Sequence, residues 1–202
     1  MKLYYAPGAC SLAPHIVARE AGLEIELVKV DIPSRKTEHG DDFLTINPKG
    51  YVPALALDNG EVLTEAGVVC QYLADLKPDS GLASPFGSLQ RYHEMSAINF
   101  VATEMHKQIG ALFNPALTPD MQAIQKNLIA HRLKSLESML DGKSFMMGEN
   151  FTVADAYLFT TLNWTRLHHI ALDDYPNIKA FMQRVGERDK VRQAMLAEGL
   201  IK

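Results

Sequence analysis

The sequence predicts an α/β domain followed by an all-helical domain, and three observations support this fold class. Short strand patterns alternate with helical ones over the first 76 residues, a segment rich in Pro, Gly and Ser follows, and long helical patterns come after it. The chain has 202 residues, which is long enough for two small domains. We therefore expect one domain over residues 1–77, a linker over 78–87 and a helical domain over 88–202.

Residues 2–5 and 25–30 have the composition of short β-strands, because they are rich in β-branched, leucine and tyrosine side chains. Between them, residues 11–21 repeat apolar side chains at helical spacing, and Gly22 ends the pattern. The connection is long enough for a right-handed crossover, which predicts that the two strands pair in parallel.

Residues 54–57 and 61–64 flank the turn Asp58-Asn59-Gly60 and predict an antiparallel hairpin, which a helix over 65–76 follows. With the first two strands, this order predicts a mixed four-stranded sheet that helices cover. In the second part of the chain, breaks at proline and glycine separate five predicted helices, over residues 88–112, 119–140, 153–170, 176–187 and 190–198.

The composition argues against two classes of partner. With 24 acidic and 20 basic side chains the formal net charge is −4, and no basic run is present, so we expect no nucleic acid. No apolar run approaches the roughly 18 residues of a membrane span, so we expect no membrane as a partner.

The N-terminus lacks the pattern of a signal peptide, and the chain has only two cysteines. These features predict a cytoplasmic protein with free thiols.

Cys10 is a candidate nucleophile, because it stands in a strand-to-helix turn. The partial positive charge of a helix N-terminus lowers the pKa of a thiol there and favours the thiolate. The alternative, a small buried hydrophobic residue, is what we expect for Cys70 on its apolar helix face. Cys10 has no C-x-x-C partner, so a mixed disulfide on it needs an external thiol, and glutathione is the abundant cytosolic one.

Two further segments have the chemistry to bind a ligand. In Val52-Pro53 a proline opens a strand, and a cis bond there would leave the Val52 backbone free to pair with an extended peptide. A plain strand start explains the same residues equally well. Glu65 stands at the start of a helix, where a carboxylate can cap the helix, bind the amino group of a ligand, or do both.

The long helix after the linker has one polar stripe, formed by Asn99, Thr103 and His106, with Glu104 and Lys107 beside it. Such a stripe is usually a solvated face, but apolar residues flank this one in the middle of the helix.

Later in the chain, Thr152 and Asp155 have the spacing of a capping box, to which we assign a folding role. The aromatic residues of the helix that follows are predicted to lie in the core: Tyr157, Phe159 and Trp164.

Four segments together form a pattern more specific than any of its parts: the opening Lys-Leu-Tyr-Tyr-Ala-Pro-Gly-Ala-Cys-Ser, Asn47-Pro48-Lys49-Gly50-Tyr51-Val52-Pro53, Leu63-Thr64-Glu65 and Phe151-Thr152-Val153-Ala154-Asp155. This pattern resembles the bacterial beta class of cytosolic glutathione transferases over the whole chain. The resemblance implies a thioredoxin-like N-terminal domain, an all-helical C-terminal domain, a homodimer, glutathione as co-substrate and no metal.

The resemblance also implies roles for individual residues. Cys10 would hold glutathione as a mixed disulfide or bind its thiolate, and His106 would hydrogen-bond near the sulfur. Val52 would bind glutathione through its backbone, next to the cis Pro53, and Arg35 would contact the glycine carboxylate. Glu65 and Ala66 would bind the γ-glutamyl end, which Asn99, Thr103 and Glu104 would reach from the neighbouring subunit. Met105 and Lys107 complete the set of glutathione-binding residues. The family commonly has Ser where this chain has Ala66, and one missing hydrogen bond weakens binding by roughly 0.5 to 1.5 kcal/mol.

The function implied is conjugation of the glutathione thiolate to small electrophiles, with thiol-disulfide exchange through Cys10. Two alternatives are a non-catalytic binding or interaction module of the same fold and a specialised glutathione-dependent dehalogenase or isomerase. The joint presence of Cys10, Val52-Pro53, Glu65 and His106 favours catalysis, because a binding module need not retain all of them. We expect the acceptor pocket between the loop 6–10, the helix around 109–117 and Trp164, without a signal that names the electrophile.

Overall fold

The computed structural model describes residues 1–202, and its first three elements form a parallel β-α-β unit. Strands β1 (Lys2–Tyr5) and β2 (Glu26–Asp31) flank helix α1 (Leu12–Glu20) and pair in parallel, with Leu3 opposite Leu27. This confirms the predicted crossover.

The predicted hairpin is also present. Strands β4 (Ala54–Ala56) and β5 (Val62–Thr64) pair antiparallel, and β4 lies antiparallel to β1. Helix α3 (Ala66–Asp75) follows the hairpin directly. Strand β5 pairs only with β4, and its end leads directly into α3.

The sheet has five strands rather than the four predicted, in the order β3-β2-β1-β4-β5. The additional strand, β3 (Lys36–Thr37), is two residues long and pairs antiparallel with the end of β2. A short helix, α2 (Phe43–Ile46), follows it. Elements of two and four residues are too short to produce a hydrophobic period, so the sequence pattern does not reveal them.

The second part of the chain is helical, as predicted. After a 3₁₀ turn over Pro78–Ser80, the regular helices are α4 (Leu89–Phe100), α5 (Lys107–Gly110), α6 (Pro119–Met139), α7 (Val153–Leu167), α8 (Pro176–Gly186) and α9 (Asp189–Ala197). Helix α7 ends three residues before the predicted position 170, and His169 beyond it has a φ of 54°.

The single helix predicted over 88–112 is wrong in its middle. A π-helical turn over Val101–His106 separates α4 from α5, and a 3₁₀ turn over Ala111–Phe113 ends the run. A π turn takes more residues than an α turn, so side chains after it rotate relative to those before it. The predicted stripe therefore divides, with Asn99 and Thr103 exposed and His106 half-buried.

One hydrophobic core of 39 buried residues joins the sheet domain to the helices. Helix α1 lies at its centre and packs against α3, α7 and α9. At the rim of this contact Arg188 binds both carboxylate oxygens of Glu20, at 2.7 and 2.8 Å. None of the helices combines the length and the hydrophobicity that a membrane span requires.

The predicted capping box at the start of α7 is confirmed. The Asp155 carboxylate accepts hydrogen bonds from the Thr152 backbone N–H at 2.8 Å and from the Thr152 hydroxyl at 2.8 Å. It also accepts one from the Met146 N–H at 2.7 Å, which ties the preceding loop to the helix. Burial raises the pKa of Asp155 to about 6, against the effect of these donors.

Candidate active site

A cavity of about 630 Å³ opens between the sheet domain and the helical domain. It lies where the turn after β1, the segment before β4, the start of α3 and the π-helical turn meet. The residues that line it are Cys10, Asn47, Lys49, Tyr51, Val52, Pro53, Thr64, Glu65, Ala66, Ala102, His106, Lys107 and Tyr157. Seven of the twelve residues named from the sequence are among them: Cys10, Val52, Pro53, Glu65, Ala66, His106 and Lys107.

Cys10 stands in the turn that leads from β1 into α1, as predicted, and is half-buried. Its thiol donates a hydrogen bond to the Val52 carbonyl, with Sγ 3.1 Å from the oxygen. The Val52-Pro53 peptide bond is cis, and Pro53 comes directly before β4. The thiol and the backbone of the Val-Pro segment thus form one wall of the cavity.

The expected lowering of the Cys10 pKa is wrong for this structure. Burial is the largest effect and raises the pKa to about 12, because the thiolate loses its hydration. Backbone N–H groups of Cys10 and Ser11 act in the opposite direction, as a helix N-terminus should, but they do not outweigh burial. Near neutral pH the free thiol is therefore protonated.

Glu65 lies at the junction of β5 and α3, and its side chain does not cap the helix. Its carboxylate instead pairs with the Lys49 ammonium, at 3.1 Å, and the same ammonium donates to the Thr64 hydroxyl at 3.0 Å. The capping explanation is therefore wrong. Glu65 also has a φ of 70°, which is rare for a residue with a side chain and costs of order 1–3 kcal/mol. Strain of this kind concentrates at functional sites.

His106, at the end of the π-helical turn, lies at the buried end of the cavity. Its Nδ1 is 2.6 Å from the Tyr157 hydroxyl oxygen, and the Trp164 ring packs edge-on against the imidazole with centroids 4.9 Å apart. Burial lowers the pKa of His106 to about 4, with the nearby Lys107 charge adding to the effect. The imidazole is therefore neutral near pH 7.

Tyr157 and Trp164 are buried, as the core prediction requires, but Tyr157 also lines the cavity. Trp164 Nε1 donates to the Gly8 carbonyl at 2.8 Å, while the Gly8 N–H donates to Glu198 at 2.9 Å. The helical domain therefore holds the loop that leads to Cys10 at two points.

Five residues named from the sequence lie outside the cavity lining. Arg35 donates to the Gly50 carbonyl at 2.5 Å, beside Tyr51 at the cavity edge. The Met105 side chain is fully buried in the core. Asn99 and Thr103 are exposed to solvent. Glu104 pairs with Arg132 of its own chain at 2.5 Å.

Sequence reasoning missed six residues of the cavity lining, namely Asn47, Lys49, Tyr51, Thr64, Ala102 and Tyr157. Three of them lie in the segment Asn47 to Pro53, which carried the resemblance but drew attention only to its Val-Pro. The Asn47 side chain donates to the Tyr51 carbonyl at 2.7 Å and holds this loop closed. Lys49 was the available signal in this segment. A basic residue is the natural partner of an acidic candidate such as Glu65, because opposite charges stabilise each other.

The N-terminal domain has a mixed sheet with a cysteine at its first strand-to-helix turn, and the helical domain completes a cavity over that cysteine. This arrangement defines a thioredoxin-like protein with a helical extension. Comparison with known proteins refines this class. Residues 8–76 match the family model of the glutathione S-transferase N-terminal domain, and residues 100–189 match that of the C-terminal domain.

Whole-chain relatives agree. Glutathione S-transferase GstA of Escherichia coli O157:H7 is 44% identical over 200 residues, which covers 99% of this chain and 100% of the relative. Two solved structures are also similar to this chain: a bacterial beta-class glutathione S-transferase from Sphingomonas chungbukensis and a sphingomonad glutathione S-transferase in complex with glutathione. Each is 45% identical in sequence, has a TM-score of 0.96 and covers 100% of both chains. This chain belongs to the glutathione S-transferase family and is a glutathione transferase that resembles its bacterial beta-class members.

Proposed function

We propose that this enzyme conjugates glutathione to small electrophiles, with the glutathione sulfur beside Cys10 and His106. The observation that carries the proposal is that Cys10, His106 and the Val52 backbone meet in one cavity of about 630 Å³. Ligand cavities of about 300–1,000 Å³ suit small molecules of this size class.

Each end of the cavity suits a different part of the tripeptide. The Val52 backbone is positioned to pair with the cysteinyl residue, with Pro53 beside it. The Glu65 carboxylate suits the γ-glutamyl amino group, and the N–H groups at the start of α3, at Ala66, suit the γ-glutamyl carboxylate. Arg35, which bonds the Gly50 carbonyl beside the cavity, and Lys107 in the cavity lining supply cations for the glycine carboxylate.

In the conjugation step glutathione is the nucleophile. Its thiol gives up a proton to solvent, the sulfur lone pair forms a C–S bond to the electrophilic carbon, and the leaving group departs with its bonding electrons. Because burial keeps the Cys10 thiol protonated near neutral pH, we assign Cys10 the role of a neutral hydrogen-bond donor to the sulfur anion.

Thiol-disulfide exchange is the second reaction that we propose for Cys10. Its thiolate attacks the glutathione sulfur of a mixed disulfide RS–SG, so that the bond between Cys10 and glutathione forms while the original S–S bond breaks, and the thiolate RS⁻ leaves. A glutathione thiolate then attacks this Cys10–glutathione disulfide, which restores Cys10 and releases glutathione disulfide. With a pKa of about 12, the Cys10 thiol is almost fully protonated at pH 7, so the rate of this reaction should rise with pH.

We further propose a cytoplasmic homodimer. Helices α4 and α6 expose large apolar side chains at helical spacing, and such a surface typically mediates protein contact. These side chains are Leu89, Tyr92, Met121, Ile124 and Leu128. In this assembly the partner subunit's cavity receives three polar residues of this region: the exposed Asn99 and Thr103, and the half-buried Glu104. Sedimentation equilibrium tests the assembly, and a monomer at micromolar concentration contradicts it.

One experiment separates the two reactions. The protein is incubated with glutathione disulfide and analysed by intact-mass spectrometry and peptide mapping, alongside Cys10→Ala and Cys70→Ala. We expect one reducible glutathione on Cys10, retained in Cys70→Ala and absent from Cys10→Ala. Conjugation of glutathione to a chlorodinitrobenzene, followed by absorbance, should survive in Cys10→Ala with at most about a tenfold loss, the value of one hydrogen-bond donor.

Two results contradict the proposal. Equal adducts on both cysteines, or none, would exclude site-directed exchange at Cys10. A wild-type protein that binds glutathione but conjugates it to no member of an electrophile panel would exclude conjugation and favour a binding role.

A further inference from the structure

Tyr157 occupies a position that its sequence context did not suggest. Its ring is 97% buried in helix α7, yet its hydroxyl reaches the same cavity as Cys10 and lies 2.6 Å from His106 Nδ1. No other protein group forms a hydrogen bond with this hydroxyl. A buried phenol usually has a partner, and here the partner is the one histidine of the cavity.

The direction of this hydrogen bond follows from the groups that surround it. Burial raises the pKa of Tyr157 far above its ordinary value of 10.0 and lowers that of His106, so both rings are neutral near pH 7. If His106 donated from Nδ1, the phenol proton would have no protein acceptor. The phenol therefore donates to Nδ1, and the imidazole proton resides on Nε2.

Packing holds the ring in this arrangement. Trp164 lies edge-on to the imidazole with ring centroids 4.9 Å apart, and Tyr157 lies edge-on with centroids 5.8 Å apart. The π-helical turn brings His106 to this position, next to two aromatic residues of α7. The ring that faces the cavity is thus constrained from several sides.

We propose that Tyr157 is a positioning residue, which holds His106 as the Nε2–H tautomer so that His106 donates a hydrogen bond to the sulfur of glutathione beside Cys10. The proposal rests on the function proposed above, because it assumes that the sulfur lies at this end of the cavity. Tyr157 need not touch the reacting atoms. A neutral donor with a fixed proton stabilises a sulfur anion without any reorganisation during the reaction.

Tyr157→Phe tests the proposal, because it removes the hydroxyl and keeps the ring. The first readout is nitrogen-15 NMR of protein labelled at its seven histidines, with the His106 signals assigned by their loss in His106→Gln. We expect the Nε2–H tautomer in the wild type and a mixture of tautomers in Tyr157→Phe. The matched control is Tyr175→Phe, which removes a hydroxyl that bonds the Ala130 carbonyl at 3.3 Å in the helical domain.

The second readout is the rate of conjugation as a function of pH. For Tyr157→Phe we expect kcat to fall about tenfold at neutral pH, KM for glutathione to change less than about twofold, and the pH profile to shift to higher pH. The other titratable groups that face the imidazole, Cys10, Glu65 and Lys107, are unchanged in this variant. Tyr175→Phe should match the wild type in all three quantities.

The outcomes distinguish this inference from the proposed function. A wild-type Nδ1–H tautomer, or an identical tautomer in Tyr157→Phe, overturns the role of Tyr157 whatever the enzyme does. A wild type without conjugation overturns the proposed function, while the NMR result still decides the tautomer. An equal loss of kcat in Tyr175→Phe would identify a general effect on the fold and overturn a specific role.

Discussion

The two ends of the cavity differ in burial and charge. At one end, Glu65 and Lys49 are exposed, with 69% and 56% of their side chains accessible, and they pair with each other. At the other end, Cys10, His106 and Tyr157 are uncharged near pH 7, because burial moves each of their pKa values away from the charged form. The charged end is suited to the ionic termini of a peptide, and the neutral end is suited to chemistry at sulfur.

This contrast determines how each end responds to change. Interactions between exposed charges are weak and are screened by salt, so substitutions there should alter affinity modestly. Groups at the buried end depend on supporting contacts that water cannot replace, so substitutions there should have large effects. Substitutions at the two ends test this difference, and we expect the largest effect where buried contacts hold the loop that leads to Cys10.

Glu198→Ala should give the largest effect. The Glu198 carboxylate is fully buried and bonds the Gly8 N–H at 2.9 Å and His15 Nδ1 at 2.9 Å. Two buried polar groups lose a partner, so we expect the free energy of unfolding to fall by about 3 kcal/mol. Urea denaturation measures this, and Glu187→Ala on the surface is the control, with a change within about 0.5 kcal/mol. A fall in the free energy of unfolding of less than about 1 kcal/mol would show that the fold does not depend on the hydrogen bonds of Glu198.

The rate at which glutathione disulfide modifies Cys10 should depend steeply on pH. With a pKa of about 12, the thiolate fraction rises tenfold per pH unit, so the rate should increase about 100-fold between about pH 8 and pH 10. A thiol with the ordinary value of 9.0 would gain only about tenfold over the same range. Stopped-flow quenching with mass detection measures the rate, with N-acetylcysteine as control. If the rate levels off below about pH 9, the pKa of Cys10 is lowered, as the effect of the helix N-terminus alone predicts.

The same distinction explains how much could be predicted from the sequence. The parallel crossover, the hairpin and the capping box follow from local patterns, since hydrophobic period, turn residues and cap spacing act over a few residues. The resemblance led to the residues that line the cavity on the sheet side, such as Val52 and Glu65. The pKa of Cys10 could not be predicted, because burial depends on elements far away in the chain.

The helical side of the cavity was less predictable for a physical reason. The π-helical turn at Val101–His106 leaves no known signal in the pattern, and it changes which side chains share a face. Tyr157 has the sequence context of a core residue and is buried, but its hydroxyl also reaches the cavity and contacts His106. The strained φ of Glu65 likewise reflects tertiary packing rather than local preference.

Ala66→Ser tests the charged end of the cavity by adding a group there. Ala66 is the first residue of α3 and lines the cavity, so a hydroxyl at this position can bond the γ-glutamyl carboxylate of glutathione. One additional hydrogen bond should tighten binding by roughly 0.5 to 1.5 kcal/mol, about two- to twelvefold. Isothermal calorimetry with reduced glutathione measures the change, and Ala66→Gly, which adds no polar group, is the control. Equal affinities for the wild type and Ala66→Ser would refute the contact.

Lys49→Ala should give the smallest effect, because it removes an exposed charge. Its ammonium bonds the Glu65 carboxylate at 3.1 Å and the Thr64 hydroxyl at 3.0 Å, both near the cavity mouth. Exposed ion pairs contribute about 0.2 to 1 kcal/mol, so KM for glutathione should change by less than about fivefold and kcat should stay the same. The difference from the wild type should shrink as salt rises from low to high ionic strength. A Lys49→Ala loss in kcat that salt does not alter would mean that Lys49 acts at the sulfur, and that the two ends are less separate than the structure indicates.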